Sequence, residues 1–447
     1  MAEPGTATLG GQLPVWTVAP FVLLLAAIAL CEVLAAGWWS RPANKARVVV
    51  ALAVPAAVHL LSVEGGAGAL THSVTEYVSF LSLLTALFVI AGGIEVRGSL
   101  AGTPLANAGM LAVGAVLANL VGTTGAAMLL IRPFLRANAR RACRVHLVVF
   151  FILIVANAGG LLTPIGDPPL YLGFLKGVPF GWTLRLWAPW LFVNGTLILI
   201  FNLVDQFLVN REERRDRTVG LMDELIVHQP LRVAGRRNVL LLAAVVLVLL
   251  AKGALALPFG VPEAALGLIA YLSYRVTPRG VHEANHFGFG PIASVAVIFA
   301  GVFVTMTQPL LILNARADQI GLQQPWQYFW ASGALSSILD NAPTYLAFTS
   351  VAAGRLGISV GDPGYLAALV ASPAGSDLLV AIACGAVMMG ALTYIGNGPN
   401  LMVKEIAEHR GVRMPHFFGY ALIAMLIMLP VLTAATFLFF RPGEPAP

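Results

Sequence analysis

Long apolar runs alternate with short polar gaps along the whole chain. Stretches near the ~20 residues that cross a bilayer fall at 17–39, 46–63, 74–96, 143–176, 183–209, 238–256, 261–276, 290–314, 377–403 and 416–440. Each is read as a membrane-spanning helix. Two further apolar segments, 103–137 and 326–352, are broken midway by polar residues, and two of the spans are broken as well. The four breaks are "ANLVGTTGAAMLLIRP" (118–133), "NAGGLLTPIGDPP" (157–169), "SSILDNAPTYLAF" (336–348) and "TYIGNGPN" (393–400). In hydrocarbon an unpaired backbone group costs several kcal/mol, so a broken helix persists only where it lines a cavity or is covered by protein.

The order of these segments repeats. A polar linker, 210–237, separates residues 1–209 from 238–447, and each half runs three spans, a broken segment, a broken span and a last span. Aligned at the broken spans, Thr163, Ile165, Gly166 and Pro169 match Thr393, Ile395, Gly396 and Pro399, with Asp167 opposite Asn397. If the broken segments 103–137 and 326–352 are re-entrant hairpins, each half has an odd number of crossings and the second repeat is inverted. Inverted repeats with corresponding broken helices mark secondary transporters.

Composition agrees with a bilayer environment: 58% of residues are hydrophobic and 11% charged, against about 25% charged in soluble domains. The net charge of +6 is explained by topology. With an outer N-terminus and two hairpins, 21 of the 27 Lys and Arg residues fall in loops on one side, including Arg132–Arg144 and 211–237. That is the cytoplasmic excess the positive-inside rule describes. Full crossings at 103–137 and 326–352 would move those two clusters to the face opposite Arg41, Lys45, Arg47 and Arg97. The reading is therefore an all-α, multi-pass protein of the inner (cytoplasmic) membrane, with about ten spans and two re-entrant hairpins. Both termini lie outside, the 210–237 linker is cytoplasmic, and lipid rather than nucleic acid is the partner of its basic charge. Cys31, Cys143 and Cys384 have no disulfide or metal spacing and are read as packing residues.

The breaks carry the candidate chemistry. Gly and Pro free backbone carbonyls and amides from the helical ladder, and Asn, Thr, Ser and Asp add oxygens, as an alkali cation requires. Inward-pointing half-helix N-termini also suit an anion. Asp167 and Asp340 are the acids placed at breaks. A carboxylate at membrane depth costs about 2.5–3.5 kcal/mol or more and marks a functional position, though either Asp would also serve as a helix cap. Asn157, Asn341, Asn397, Asn400, Thr123, Thr124, Thr163 and Thr344 are the candidate ligands around them. The expected activity is exchange of Na⁺ for H⁺, with no resident cofactor or metal beyond the transported ions. The alternative is a Na⁺- or H⁺-coupled anion carrier for arsenite or an organic acid such as citrate, ranked lower because no Lys or Arg falls at a break, Arg132 at the end of the first being read as an interface residue. An intramembrane enzyme is ranked lowest: a His-x-x-x-His spacing (His282, His286) and a Gly-x-Ser-x-Gly spacing (Gly357, Ser359, Gly361) each occur once, but neither falls at a break and the other histidines are scattered.

The segments "NAGGLLTPIGDPPLYLGFLKG", "SSILDNAPTYLAF" and "ALTYIGNGPNLMVKEIAE" resemble the ion transporter superfamily. It holds NhaD-type sodium/proton antiporters, arsenite permeases, dicarboxylate and citrate carriers and the melanocyte P protein. The resemblance implies a homodimeric elevator carrier. Its moving domain would comprise both hairpins, both broken spans and the span after each, and the remaining spans would form the dimer scaffold. It places Thr123 and Thr124 at the first hairpin tip, and Asp340, Asn341 and Thr344 at the second. Asn157, Thr163 and Asp167 fall on the first broken span, Asn397 and Asn400 on the second. Where NhaD-type antiporters carry an Asp-Asn pair in the first hairpin, this chain has "GTTG" and holds Asp-Asn in the second. The Ser-Asn-Thr tips of dicarboxylate carriers are absent.

Overall fold

The computed structural model describes residues 9–39, 41–97, 102–215, 232–255, 257–285, 287–362 and 364–441. Residues 216–231, most of the expected cytoplasmic linker, lie outside them. Helices of eight or more residues are α1 (Ala19–Leu34), α2 (Pro42–Leu61), α3 (Gly66–Gly92), α4 (Pro104–Ala137), α5 (Val145–Ile154), α6 (Pro168–Leu175), α7 (Trp187–Arg215) and α8 (Arg236–Leu255). There follow α9 (Val261–Val276), α10 (Gly290–Ala315), α11 (Pro325–Ile338), α12 (Asn341–Arg355), α13 (Pro373–Met389), α14 (Gly398–His409) and α15 (Phe417–Phe439). The described residues are thus helical as expected, except for one antiparallel ribbon among them, of β1 (Glu95–Arg97) and β2 (Arg232–Ala234), in which Arg97 pairs with Arg232.

Among the described residues, nine helical segments are long and apolar enough to cross a membrane. The expected spans 17–39 and 261–276 are not among them: α1 and α9 have 16 residues each. That is about 24 Å at 1.5 Å per residue, short of a ~30 Å hydrocarbon core. The outer faces are oily. Leu199, Leu203 and Phe207 on α7, Leu240 and Leu247 on α8, and Leu422, Leu426 and Phe437 on α15 are all exposed, which suits lipid and not water. By contrast 83% of the Val145–Leu162 window and 89% of Pro373–Leu392 are buried. The two broken spans therefore form the centre of the molecule.

Both interrupted segments double back. α4 is one run by hydrogen bonding, but Gly122 within it has φ 78° and ψ 157°, a backbone region open in practice only to glycine. Past it the chain returns, so that Asn107 and Asn138, at the two ends of α4, hydrogen-bond each other in both directions at 2.9 and 2.8 Å. α11 and α12 are separated at Leu339 and Asp340, and Arg355 at the far end donates to Leu322 O before the near end, at 2.8 Å. α11 lies tightly along α13, where small residues let backbones approach. Ser336 donates to Ala386 O at 2.6 Å.

The hairpin geometry gathers the basic loops on one face. Arg136 donates to Val96 O, beside Arg97. Cys143 N donates to Glu212, and Arg144 reaches Arg410 O and Gly411 O. A full crossing at 103–137 would have separated Arg97 from Arg136 by the thickness of a membrane.

Candidate functional site

Four chain breaks meet at the centre. After α5 the backbone leaves the helix at Asn157 (φ −142°, ψ −87°), makes a 3₁₀ turn over Ala158–Leu162, and runs extended at Thr163. Pro164, Ile165 and Gly166 then turn the chain, closed by Gly166 N to Thr163 O at 2.9 Å, into Asp167 at the head of α6. The partner break has the same local form: a 3₁₀ turn over Gly390–Leu392, an extended Thr393, and an extended Asn397 at the head of α14. Gly160 lies against Gly166, and Gly390 against Gly396, so closely that a Cβ on either member would meet the other's carbonyl oxygen. These glycines are fixed by contact rather than by dihedral angle.

Each hairpin tip is latched to the broken span beside it. Thr163 Oγ1 donates to Asn119 O, and Thr393 Oγ1 to Ser337 O. Asn119 adds Nδ2 to Gly159 O (2.7 Å) and accepts from Leu162 N (2.7 Å). Thr123 N donates to Gly166 O at 2.8 Å.

Asp167, 1% exposed, stands where these segments converge. Although it occupies the N-cap position of α6, its side chain makes no cap bond. Its carboxylate is given to three other segments instead. Thr123 Oγ1 donates to Oδ1 at 2.8 Å, Asn397 Nδ2 to Oδ1 at 3.2 Å, and Asn341 Nδ2 to Oδ2. Asn397 also donates to Asn157 Oδ1 and Ala156 O, each at 3.2 Å. Asn157 Nδ2 donates to Asn400 Oδ1 at 2.7 Å, and Asn400 Nδ2 to Gly390 O and Thr393 O, both at 2.9 Å. Asp167 forms no ion pair among the described residues, and Asn341 Oδ1, buried beside it, has no hydrogen-bond partner.

Of the expected site residues, Asp167, Thr123, Asn341, Asn397, Asn157 and Asn400 therefore form one connected network. Thr163 holds the backbone of that network. Asp340, Thr344 and Thr124 stand apart from it. Asp340 caps α12, accepting from Ala342 N at 2.9 Å, and Thr344 is bonded back to Asp340 O at 2.9 Å. Thr124 lines a cavity of about 60 Å³ between the Asp167 turn and the apolar side of α3 (Leu83, Leu87, Phe88). Asn119 and Ser337 went unnoticed in the sequence, although each lies three residues before its hairpin tip, at Gly122 and Asp340.

Chemically, the site is a single carboxylate in a ring of neutral donors. A buried charge without a counter-charge is costly. The amides of Asn341 and Asn397 exchange donor for acceptor by a half-turn, and would then present oxygens beside Asp167 and Thr123. Four helix N-terminal ends, those of α6, α12, α14 and the second limb of α4, meet at this spot, each with a partial positive charge.

No curated protein matches the chain. The model of a family described as "putative citrate transport" matches residues 10–440. With that match over nearly its whole length, on a helical membrane architecture whose broken helices meet at one buried carboxylate, the chain belongs to this transport family.

Proposed function

We propose that this secondary transporter carries its coupling ion at Asp167, and that the ion is Na⁺ exchanging with H⁺. The observation that carries the reading is the Asp167 carboxylate itself: buried, bonded only to neutral groups, and next to the unpartnered Asn341 Oδ1. Both features are relieved by a cation or a proton. Hard oxygens from a carboxylate, a hydroxyl and amides suit an alkali cation, and the adjoining 60 Å³ cavity has room for a few waters. The matched latches at Thr163 and Thr393 and the matched 3₁₀ turns support two inverted repeats, 1–209 and 238–447. An elevator movement of hairpins and broken spans against a dimeric scaffold, with both termini outside the inner membrane, follows from the same reading. Asp340 acts there as the cap that orients Asn341.

A second reading rests on different observations. Four helix N-termini converge at Asp167, a geometry that favours anions, and the family is described by citrate transport. Citrate coupled to Na⁺ or H⁺ at Asp167 is at least as consistent with that family as antiport. The lack of a Lys or Arg at the breaks weighed against a tricarboxylate in the sequence; helix ends and a bound cation supply the missing positive charge in this version.

Proteoliposomes separate the two. Collapse of a preset ΔpH on adding Na⁺ or Li⁺ without citrate, lost in Asp167→Asn, is the antiport result. Radiolabelled citrate uptake driven by a Na⁺ or H⁺ gradient, with no cation-induced ΔpH change in its absence, selects the carrier. Neither response from folded, reconstituted protein sinks the assignment of Asp167 as a coupling site.

A further inference from the structure

On the face away from the basic loops lies a second cavity, of about 540 Å³. It is nine times the volume beside Asp167 and falls in the size range of small-molecule sites. His72, Ser73 and Glu76 of α3, Asn314 of α10, Tyr365 and Lys176 contribute to its wall. Among the residues lining it, Glu76 is the one acid and Lys176 the one lysine. Gly65, Gly68 and Gly361 at its rim are exposed, so it opens to the surface.

Lys176 closes the C-terminal end of α6, the helix that begins after Asp167. The two residues are thus roughly 13 Å apart along its axis. Lys176 Nζ is 2.7 Å from both Glu76 Oε1 and Oε2, and 5.7 Å from the centre of the Tyr365 ring. His72 Nε2 lies 3.1 Å from the same Glu76 Oε1. The Lys176 and Glu76 side chains are only 7% and 8% exposed. A buried ion pair is a poor source of stability, since apolar residues of similar size often do as well or better. This one joins an expected scaffold helix, α3, to an expected moving one, α6. Leu366 N also donates to Lys176 O at 3.0 Å, which holds the lysine to the α6 side of the contact.

We propose that this cavity is a binding site for a small polycarboxylate, with Lys176 as its cationic anchor and Glu76 as a built-in occupant that the ligand displaces. A carboxylate entering from the rim takes the place of Glu76 on Lys176, and His72, already in contact, keeps hold of the displaced Glu76. The Tyr365 ring face supports the ammonium in both arrangements. The exchange also removes the ion pair between α6 and α3, leaving the hydrogen bond from Tyr171 to Ser79 O as the polar tie between them, so that filling the cavity loosens the helix that begins after Asp167. The inference rests on the transport reading for its biological sense, but not on which ion Asp167 holds.

The test is citrate binding to purified, detergent-solubilised protein, by isothermal calorimetry and by thermal shift. Glu76→Gln leaves Lys176 free of its internal competitor, and citrate affinity is expected to rise at least ~10-fold, about the worth of one charge-assisted contact. The double variant Glu76→Gln/Lys176→Met removes both charges together, so no unpaired one remains, and is expected to bind at least ~10-fold more weakly than Glu76→Gln alone. A Na⁺-dependent thermal shift retained in both variants shows that they are folded and that the Asp167 site is separate. Its absence with citrate binding intact would count against the Asp167 reading alone. Equal citrate binding by the single and double variants overturns the proposal, as does sulfate binding as tightly as citrate.

Discussion

Replacing Asp167 by Asn tests the site most sharply, because transport and stability are expected to move apart. The amide is nearly isosteric with the carboxylate, and its oxygen still accepts from Thr123 and Asn397. Its NH₂ would meet Asn341 Nδ2, donor against donor. A half-turn of Asn341 removes the conflict by bringing in Oδ1, the atom now without a partner. Satisfying a buried orphan acceptor is worth about 1–3 kcal/mol, and a buried uncompensated charge disappears as well. Asp167→Asn is therefore expected to melt at or above the wild-type temperature. For a cation, losing a unit charge at about 4 Å in an effective dielectric near 20 costs about 4 kcal/mol, or roughly a thousandfold in affinity. Thermal unfolding of purified protein and cation-induced ΔpH change, or cation-driven citrate uptake, in proteoliposomes give the two readouts. Wild-type cation dependence in the variant would refute the role of Asp167. A melting temperature lowered by many degrees would show instead that the carboxylate is a structural tie.

Three further outcomes follow from the same geometry. Asp340→Asn preserves a good N-cap for α12 and should transport within about threefold of wild type, whereas Asp340→Ala loses the bond from Ala342 N and about 0.5–2 kcal/mol. Thermal melts and transport rates measured together decide this, and a dead but stable Asp340→Asn would move the second acid into the exchange. Gly122→Ala forces a side chain into φ 78°, ψ 157° at about 1–3 kcal/mol; lower stability and misplacement of Thr123 should show as weaker cation dependence, and unchanged behaviour would mean the tip relaxes freely. Single cysteines at Leu105 and Arg140, near the two ends of α4, should react with an impermeant thiol reagent from one side of the membrane, and a cysteine at Gly361 from the other. Opposite-side labelling of the first two would rule out the hairpin.

The linear sequence settled those features that depend on local composition. Apolar runs gave the helices, and glycine, proline and asparagine inside them located every break. Counting basic residues favoured hairpins over crossings, and the contact of Arg136 with Val96 agrees with that choice. Local patterns set span ends less well: α1 is shorter than the apolar stretch 17–39 that holds it, because helix termination depends on neighbours as well as hydropathy, whereas α9 keeps the expected bounds 261–276. Which oxygen meets which donor was outside the reach of sequence. Asp167 and Asp340 look equivalent there, each an acid before a helix, yet only tertiary packing turns the first away from its own helix and toward Asn341, 174 residues on. The second is left capping α12. The pairing of Glu76 with Lys176, across 100 residues, was equally invisible. Hydrophobic periodicity records whether a side chain avoids water. Its partner is fixed only when distant segments pack, and at the centre of this protein the partner decides the chemistry.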